Sequence, residues 1–145
     1  MTGIIALIGA PTDVGAGARG ASMGPEALRV AQLQAVLEAQ GLEVIDRGNL
    51  GGPPNPWQPP VSGYRHLPEV VEWNRLVHEA VLEELAAGRL PMLLGGDHSL
   101  AIGSISAAAK HCRDTGRKLR VLWFDAHADF NTHVLTPSGN VHGMP

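Results

Sequence analysis

Cysteine is almost missing from this sequence: Cys112 stands alone among 145 residues. An internal disulfide is therefore excluded, and the composition fits a reducing compartment, so a cytoplasmic protein is expected. Aromatic residues make up 4% of the chain, charged residues 17%, and the net charge is −3. Without a basic excess, no nucleic acid and no anionic membrane is expected as a partner. No apolar run approaches the roughly 20 residues that a membrane span needs. Met1 to Ala10 is apolar but lacks a basic leader, and Pro11 and Asp13 end it, so it reads as a first strand rather than a signal peptide. Gly15, Gly17 and Gly20 lack both the dinucleotide fingerprint spacing and the Lys-Ser/Thr of a P-loop, which leaves a flexible loop beside a site as the better reading. Internal repeats are absent.

What is present is an alternation of apolar runs and amphipathic stretches. Ile4 to Ile8 reads as a strand. Pro25 and Glu26 open a helix whose stripe is Ala27, Val30, Leu33 and Leu37, and Gly41 stops it. Leu42 to Ile45 reads as a second strand. Residues 49–66 break the pattern: five prolines (Pro53, Pro54, Pro56, Pro59 and Pro60) and three glycines make a long surface loop that Trp57 or Tyr64 could pin to the body. Residues 68–87 read as an amphipathic helix with Val70, Trp73, Val77, Ala80 and Leu85 on one side. Pro91 to Leu94 reads as a third strand, Leu100 to Lys110 as a small-residue helix able to pack against a sheet, and Val121 to Phe124 as a fourth strand, apolar on both faces. This order predicts a parallel α/β sheet with helices on both faces.

The chemistry-bearing residues crowd the ends of these runs, where open α/β sheets place their ligands. The third strand breaks into Gly95-Gly96-Asp97-His98-Ser99, and the fourth runs into Asp125-Ala126-His127-Ala128-Asp129. On an extended backbone, residues two apart point the same way, so Asp125, His127 and Asp129 are expected to converge, with His98 facing them from the neighbouring strand end. Two carboxylates and two imidazoles suit a hard cation with mixed oxygen and nitrogen ligands. The spacing alone leaves one tetrahedral ion or a pair of ions about 4 Å apart equally open. Asp97, just ahead of a helix start, reads as a cap. The tail from Asn131 to Pro145 is dense in neutral hydrogen-bonding groups able to hold an amino acid's ammonium and carboxylate, and His142 is the titratable group placed for proton transfer near neutral pH.

Taken together, Gly95-Gly-Asp-His-Ser99, Asp125-Ala-His-Ala-Asp129 and Ser138-Gly-Asn-Val-His-Gly-Met-Pro145 resemble the successive signatures of the ureohydrolase family, and the last of these resembles arginase more than agmatinase or formimidoylglutamase. The amino-terminal Gly-Ala-Pro, Arg-Gly-Ala and Met-Gly-Pro-Glu-Ala-Leu-Arg stretches resemble arginase too. The resemblance implies a three-layer α/β/α fold with a parallel sheet, of the arginase/deacetylase type, and a binuclear Mn2+ hydrolase that converts L-arginine to L-ornithine and urea. By motif position it implies Asp125 as the bridge between two ions, His98 and Asp129 on one ion, and His127 on the other. Asn131 and Ser138 would bind the substrate's α-carboxylate with Thr136 and Asn140 nearby, and His142 would shuttle protons. Asp129 is counted with His142 among the catalytic groups, and the parent is expected to be a homo-oligomer, a trimer or hexamer.

Arginases run to about twice this length, and their second metal motif, an Asp-x-Asp, lies in the later half. No such pair follows His142 here. The resemblance therefore implies that residues 1–145 are the amino-terminal half of a single arginase-like domain, incomplete in its sheet and inactive by itself. In the family, two strands from the later half separate the strands bearing the two metal motifs, so these strands are expected to have open edges here. The alternatives are another ureohydrolase, acting on agmatine or a related guanidino compound, and a non-catalytic half that needs a complementary chain.

Overall fold

The computed structural model describes residues 3–132 and 134–145. Met1 and Thr2, at the head of the apolar start, and His133 of the polar tail lie outside the described residues.

Three parallel strands, β1 (Ile4–Ala10), β2 (Glu43–Asn49) and β3 (Leu90–Gly95), form a sheet in the order β2-β1-β3. β1 is central, and everything from Ile5 to Ala10 is buried. Its side chains alternate between two cores, as a pleated strand requires. Ile5 and Leu7 pack with Leu94 against Leu33 and Leu37, on the face covered by α1 (Gly24–Val30) and α2 (Leu33–Glu38). Ile8 and Ala10 join the opposite core, built on Val70, Trp73, Val77 and Val81 of α3 (Leu67–Ala86) and Ala107 of α4 (Ala101–Asp114). The result is three layers, α/β/α. Val14 and Val141, which flank residues of the site below, belong to this larger core. Each such side chain contributes about 1.5–3 kcal/mol when fully buried.

The small-residue helix packs against α3 rather than directly on the sheet. The Gly103 N–H donates to Asn74 Oδ1 at 2.7 Å, and a Cβ on Gly103 would lie 2.5 Å from the Asn74 carbonyl oxygen. The stripe of α3 also turns further than expected and buries Glu84, which pairs with Arg47 and Arg89. A buried carboxylate without such partners would be strongly unfavourable.

Three of the expected elements also change. The single helix over residues 25–40 is two, because Gln32 adopts a left-handed conformation (φ 62°). The break turns Leu33 and Leu37 onto the sheet and leaves Val30, a member of the expected stripe, 79% exposed. The second strand runs on to Asn49 through a register shift opposite Leu7 to Gly9. The fourth strand does not form. Residues 117–125 adopt neither helix nor strand, and Phe124 is 92% exposed. A strand exists only through its ladder, and among the described residues β3 pairs with β1 alone, which leaves its other edge open.

Residues 50–66 are irregular apart from a single bridge between Val61 and Tyr64. Trp73 Nε1 donates to the Pro53 carbonyl at 2.8 Å, and Asn55 Nδ2 donates to the carbonyl and carboxylate oxygens of Asp13. Trp57 instead stacks under Arg19 near the surface. Among the described residues no helix is long and apolar enough to cross a membrane.

Candidate active site

At the carboxyl end of β3, Gly95 and Gly96 lead into a single 3-10 turn, His98–Leu100. Gly96 is needed for close approach rather than for a sharp turn, since a Cβ there would lie 2.6 Å from the carbonyl oxygens of both Ala10 and Thr12. Asp97 caps the turn by accepting the Ser99 N–H at 3.0 Å, as its position suggested. Its other oxygen reaches across to the loop after β1 and accepts the Gly15 N–H at 2.9 Å. This holds His98 at the rim of the sheet.

The Asp125–Asp129 stretch meets His98 there by turning, not by extension. The Asp125 side chain accepts the backbone N–H of His127 at 2.9 Å, and Asp129 has a left-handed backbone (φ 46°). The Asp125 carboxylate lies 3.3 Å from His98 Nδ1, and Asp129 Oδ2 lies 3.8 Å from His98 Nε2. One ligand atom from each of His98, Asp125 and Asp129 falls within 4.8 Å of the others. His98 Nε2 is buried and has no hydrogen-bond partner among the described residues, a costly state for a polar atom unless something else binds it. Trp123 Nε1 donates to Asp129 Oδ2 at 3.2 Å and fixes that carboxylate. The His127 N–H holds the Asp125 carboxyl below the usual carboxylate range, against partial desolvation and with help from the imidazoles of His98 and His127. Asp125 is thus ionised at neutral pH. This donor set, two carboxylate oxygens and an imidazole nitrogen, fits a divalent metal cation.

His127 is not gathered with these three. Its side chain is 81% exposed and stands 3.5 Å from Asp125. Convergence at every second residue needs a straight strand, and this segment bends. His127 nevertheless borders a cavity of about 560 Å³ shared with His98, Asp129, Phe130, Asn131 and His142. The His142 ring lies 5.3 Å from that of His98. His142 Nδ1 donates to the Gly15 carbonyl at 2.6 Å, and because a carbonyl only accepts, Nδ1 carries the proton and Nε2 is the basic nitrogen.

Of the four residues expected to hold substrate, Asn131 lines this cavity and Thr136, Ser138 and Asn140 do not. The Asn131 N–H donates to the Gly143 carbonyl, which ties it to the His142 turn. Ser138 Oγ accepts the Asn140 N–H, while Thr136 Oγ1 and Asn140 Oδ1 are buried without partners among the described residues. The turn between them leans on the proline-rich loop, where the Arg65 N–H donates to the Gly139 carbonyl. Gly15, His66 and Trp123 also build this region; the sequence marks them only as part of a glycine-rich loop, of a composition break and of an expected strand.

The model of the arginase family matches residues 4–145. The chain belongs to the arginase family. The arginase of Brevibacillus brevis is 42% identical over 141 residues, which is 97% of this chain and 46% of that protein. The structure of the Bacillus caldovelox arginase superposes with a TM-score of 0.87 at 40% identity, covering 97% of this chain and 46% of the other. That of the Entamoeba histolytica arginase, in complex with L-ornithine, superposes with a TM-score of 0.86 at 32% identity, covering 98% of this chain and 48% of the other. The chain spans about half the length of the arginases it matches, and the Asp125–Asp129 stretch falls within the part that the family shares.

Proposed function

We propose that the intact protein hydrolyses L-arginine to L-ornithine and urea at a binuclear manganese site, which His98, Asp125 and Asp129 of this chain would help to hold, with His127 as a further ligand. The observation that carries the reading is the gathering of one ligand atom from each of His98, Asp125 and Asp129 within 4.8 Å, beside a buried His98 Nε2 that has no hydrogen-bond partner among the described residues. When bound, manganese supplies Lewis-acid polarisation and acidifies water near neutral pH. The protein's own groups do the rest. Asp125 and Asp129 bring negative charge that suits both cations and a guanidinium substrate. Water adds through its oxygen to the guanidinium carbon and gives up its protons, the bond from that carbon to Nε breaks, and the departing amine, which becomes the δ-amino group of ornithine, takes up one of those protons. His142, with Nδ1–H tied to Gly15, offers Nε2 to carry that proton. Asn131, Thr136, Ser138 and Asn140 hold the amino-acid end of the substrate; Asn131 borders the cavity, and Thr136 Oγ1 and Asn140 Oδ1 lack hydrogen-bond partners among the described residues. The bound L-ornithine of the Entamoeba histolytica relative is the product this reading requires.

The same reading makes the protein a cytoplasmic homo-oligomer, a trimer or hexamer, with Cys112 as a free thiol. The test is urea release by the intact, manganese-loaded protein, with arginine and agmatine compared side by side. Arginine is expected to be turned over and agmatine not. Preference for agmatine, or no urea from either substrate with manganese bound, overturns the proposal.

A further inference from the structure

His66 sits in the proline-rich loop, 6% exposed, with a left-handed backbone at the start of α3 (φ 53°). Its ring is saturated with backbone contacts. Nδ1 donates to the Val14 carbonyl at 3.0 Å, and Nε2, left without a proton in that tautomer, accepts the Gln58 N–H at 3.1 Å, with the Gln58 carbonyl at the same distance. The Val14 carbonyl belongs to the same peptide unit as the Gly15 N–H, which donates to Asp97 Oδ2 at 2.9 Å. One rigid peptide plane is thus held at its oxygen by His66 and at its nitrogen by Asp97. The next carbonyl along, that of Gly15, accepts both the backbone N–H of His142 and its Nδ1–H. Gly15 tolerates no side chain, since a Cβ would lie 2.5 Å from Asp97 Oδ1 and from Ser99 Oγ.

We infer that His66 is a positioning residue for His142: by fixing the Val14–Gly15 peptide against Asp97, it aims the Gly15 carbonyl at His142 Nδ1 and so selects the tautomer in which Nε2 is basic. The long loop over residues 50–66 thereby gains a role in the site without touching the cavity that His98 and His142 line. The catalytic consequence rests on the proton-transfer role proposed above for His142; the tautomer does not depend on it.

Selective 15N-histidine labelling of the protein, with long-range proton–nitrogen correlation, reads each ring's tautomer directly. In the wild type, His142 and His66 are both expected as Nδ1–H forms; a His142 ring protonated at Nε2 alone overturns the inference at once, with no variant needed. His66→Phe removes the donor and is expected to turn His142 into a mixture of tautomers. His66→Asn, whose amide nitrogen can stand where Nδ1 stood, is expected to restore the single form. An unchanged His142 in a folded His66→Phe protein overturns the inference. In turnover, His66→Phe is expected to lower kcat about tenfold with KM within about twofold, a split that general loosening of the loop would not produce. If no urea is formed by any form, the arginase reading fails while the tautomer result still stands or falls alone.

Discussion

Asp97 is the most informative single residue to perturb, because one carboxylate serves two structural ends. Replacement by alanine removes the cap on the His98–Leu100 turn, worth about 1 kcal/mol. It also strands the buried Gly15 N–H, worth about 1–3 kcal/mol. Both bonds end on one carboxylate and Gly15 lies against Ser99, so the two losses are coupled and add only approximately. A loss of about 2–4 kcal/mol is expected for Asp97→Ala in urea unfolding. Asp97→Ser separates the terms. Serine caps as well as aspartate but is too short to reach Gly15, so only the long-range loss of about 1–3 kcal/mol should remain. If both variants unfold within about 0.5 kcal/mol of the wild type, the level of an ordinary surface substitution, the loop after β1 is not held by Asp97 and the account of the site's framework is wrong.

Asp46 carries a pH-dependent share of stability. Its carboxyl is held below the usual range, first by the hydrogen bond from Arg29, then against desolvation and with help from the Gly48 N–H. A depressed folded-state value stabilises above the unfolded-state value and is lost as pH falls through the folded one. The stability gap between wild type and Asp46→Asn should therefore be full near pH 7 and close progressively in acid; a gap constant from pH 7 to pH 2 contradicts this. Leu7→Ala, at a site 1% exposed in the centre of the sheet, should cost about 2–5 kcal/mol in the same assay. Phe124→Ser, at a site 92% exposed, should cost within about 0.5 kcal/mol in this chain. Equal losses for the two would mean that residues 119–124 are packed after all.

How much of this was legible in the sequence follows from what each element depends on. β1 and α3 are specified by their own residues: an apolar run short enough for a strand, and a stripe at helical spacing carrying Val70, Trp73 and Val77 into the core. The motif ends at His98 and at Asp125–Asp129 were legible because those residue types have no packing reason to sit together. The fourth strand was not, because Val121 to Phe124 have strand chemistry but no strand beside them, and β propensity expresses itself only in a sheet. The open edge of β3 agrees with the gap that the family resemblance implied. The convergence rule misplaced His127 for a related reason: it presumes an extended backbone, and the Asp125 cap on His127 N–H and the left-handed Asp129 bend the segment instead. The break at Gln32 carries no residue signal, since glutamine rarely adopts that conformation. The loop around Gly15 reads as flexible by composition, yet Asp97, His66 and His142 all hold it through hydrogen bonds that no local pattern records.

The role proposed for His98, Asp125 and Asp129 is jointly to hold manganese. Its most direct test is manganese binding to the intact protein followed by electron paramagnetic resonance, comparing wild type with Asp125→Asn, which keeps the shape of the side chain and removes its charge. The account predicts tight manganese in the wild type, with magnetic coupling between paired ions, and at least a hundredfold weaker binding with no coupled signal in the variant. Manganese held as tightly by Asp125→Asn as by the wild type would contradict it.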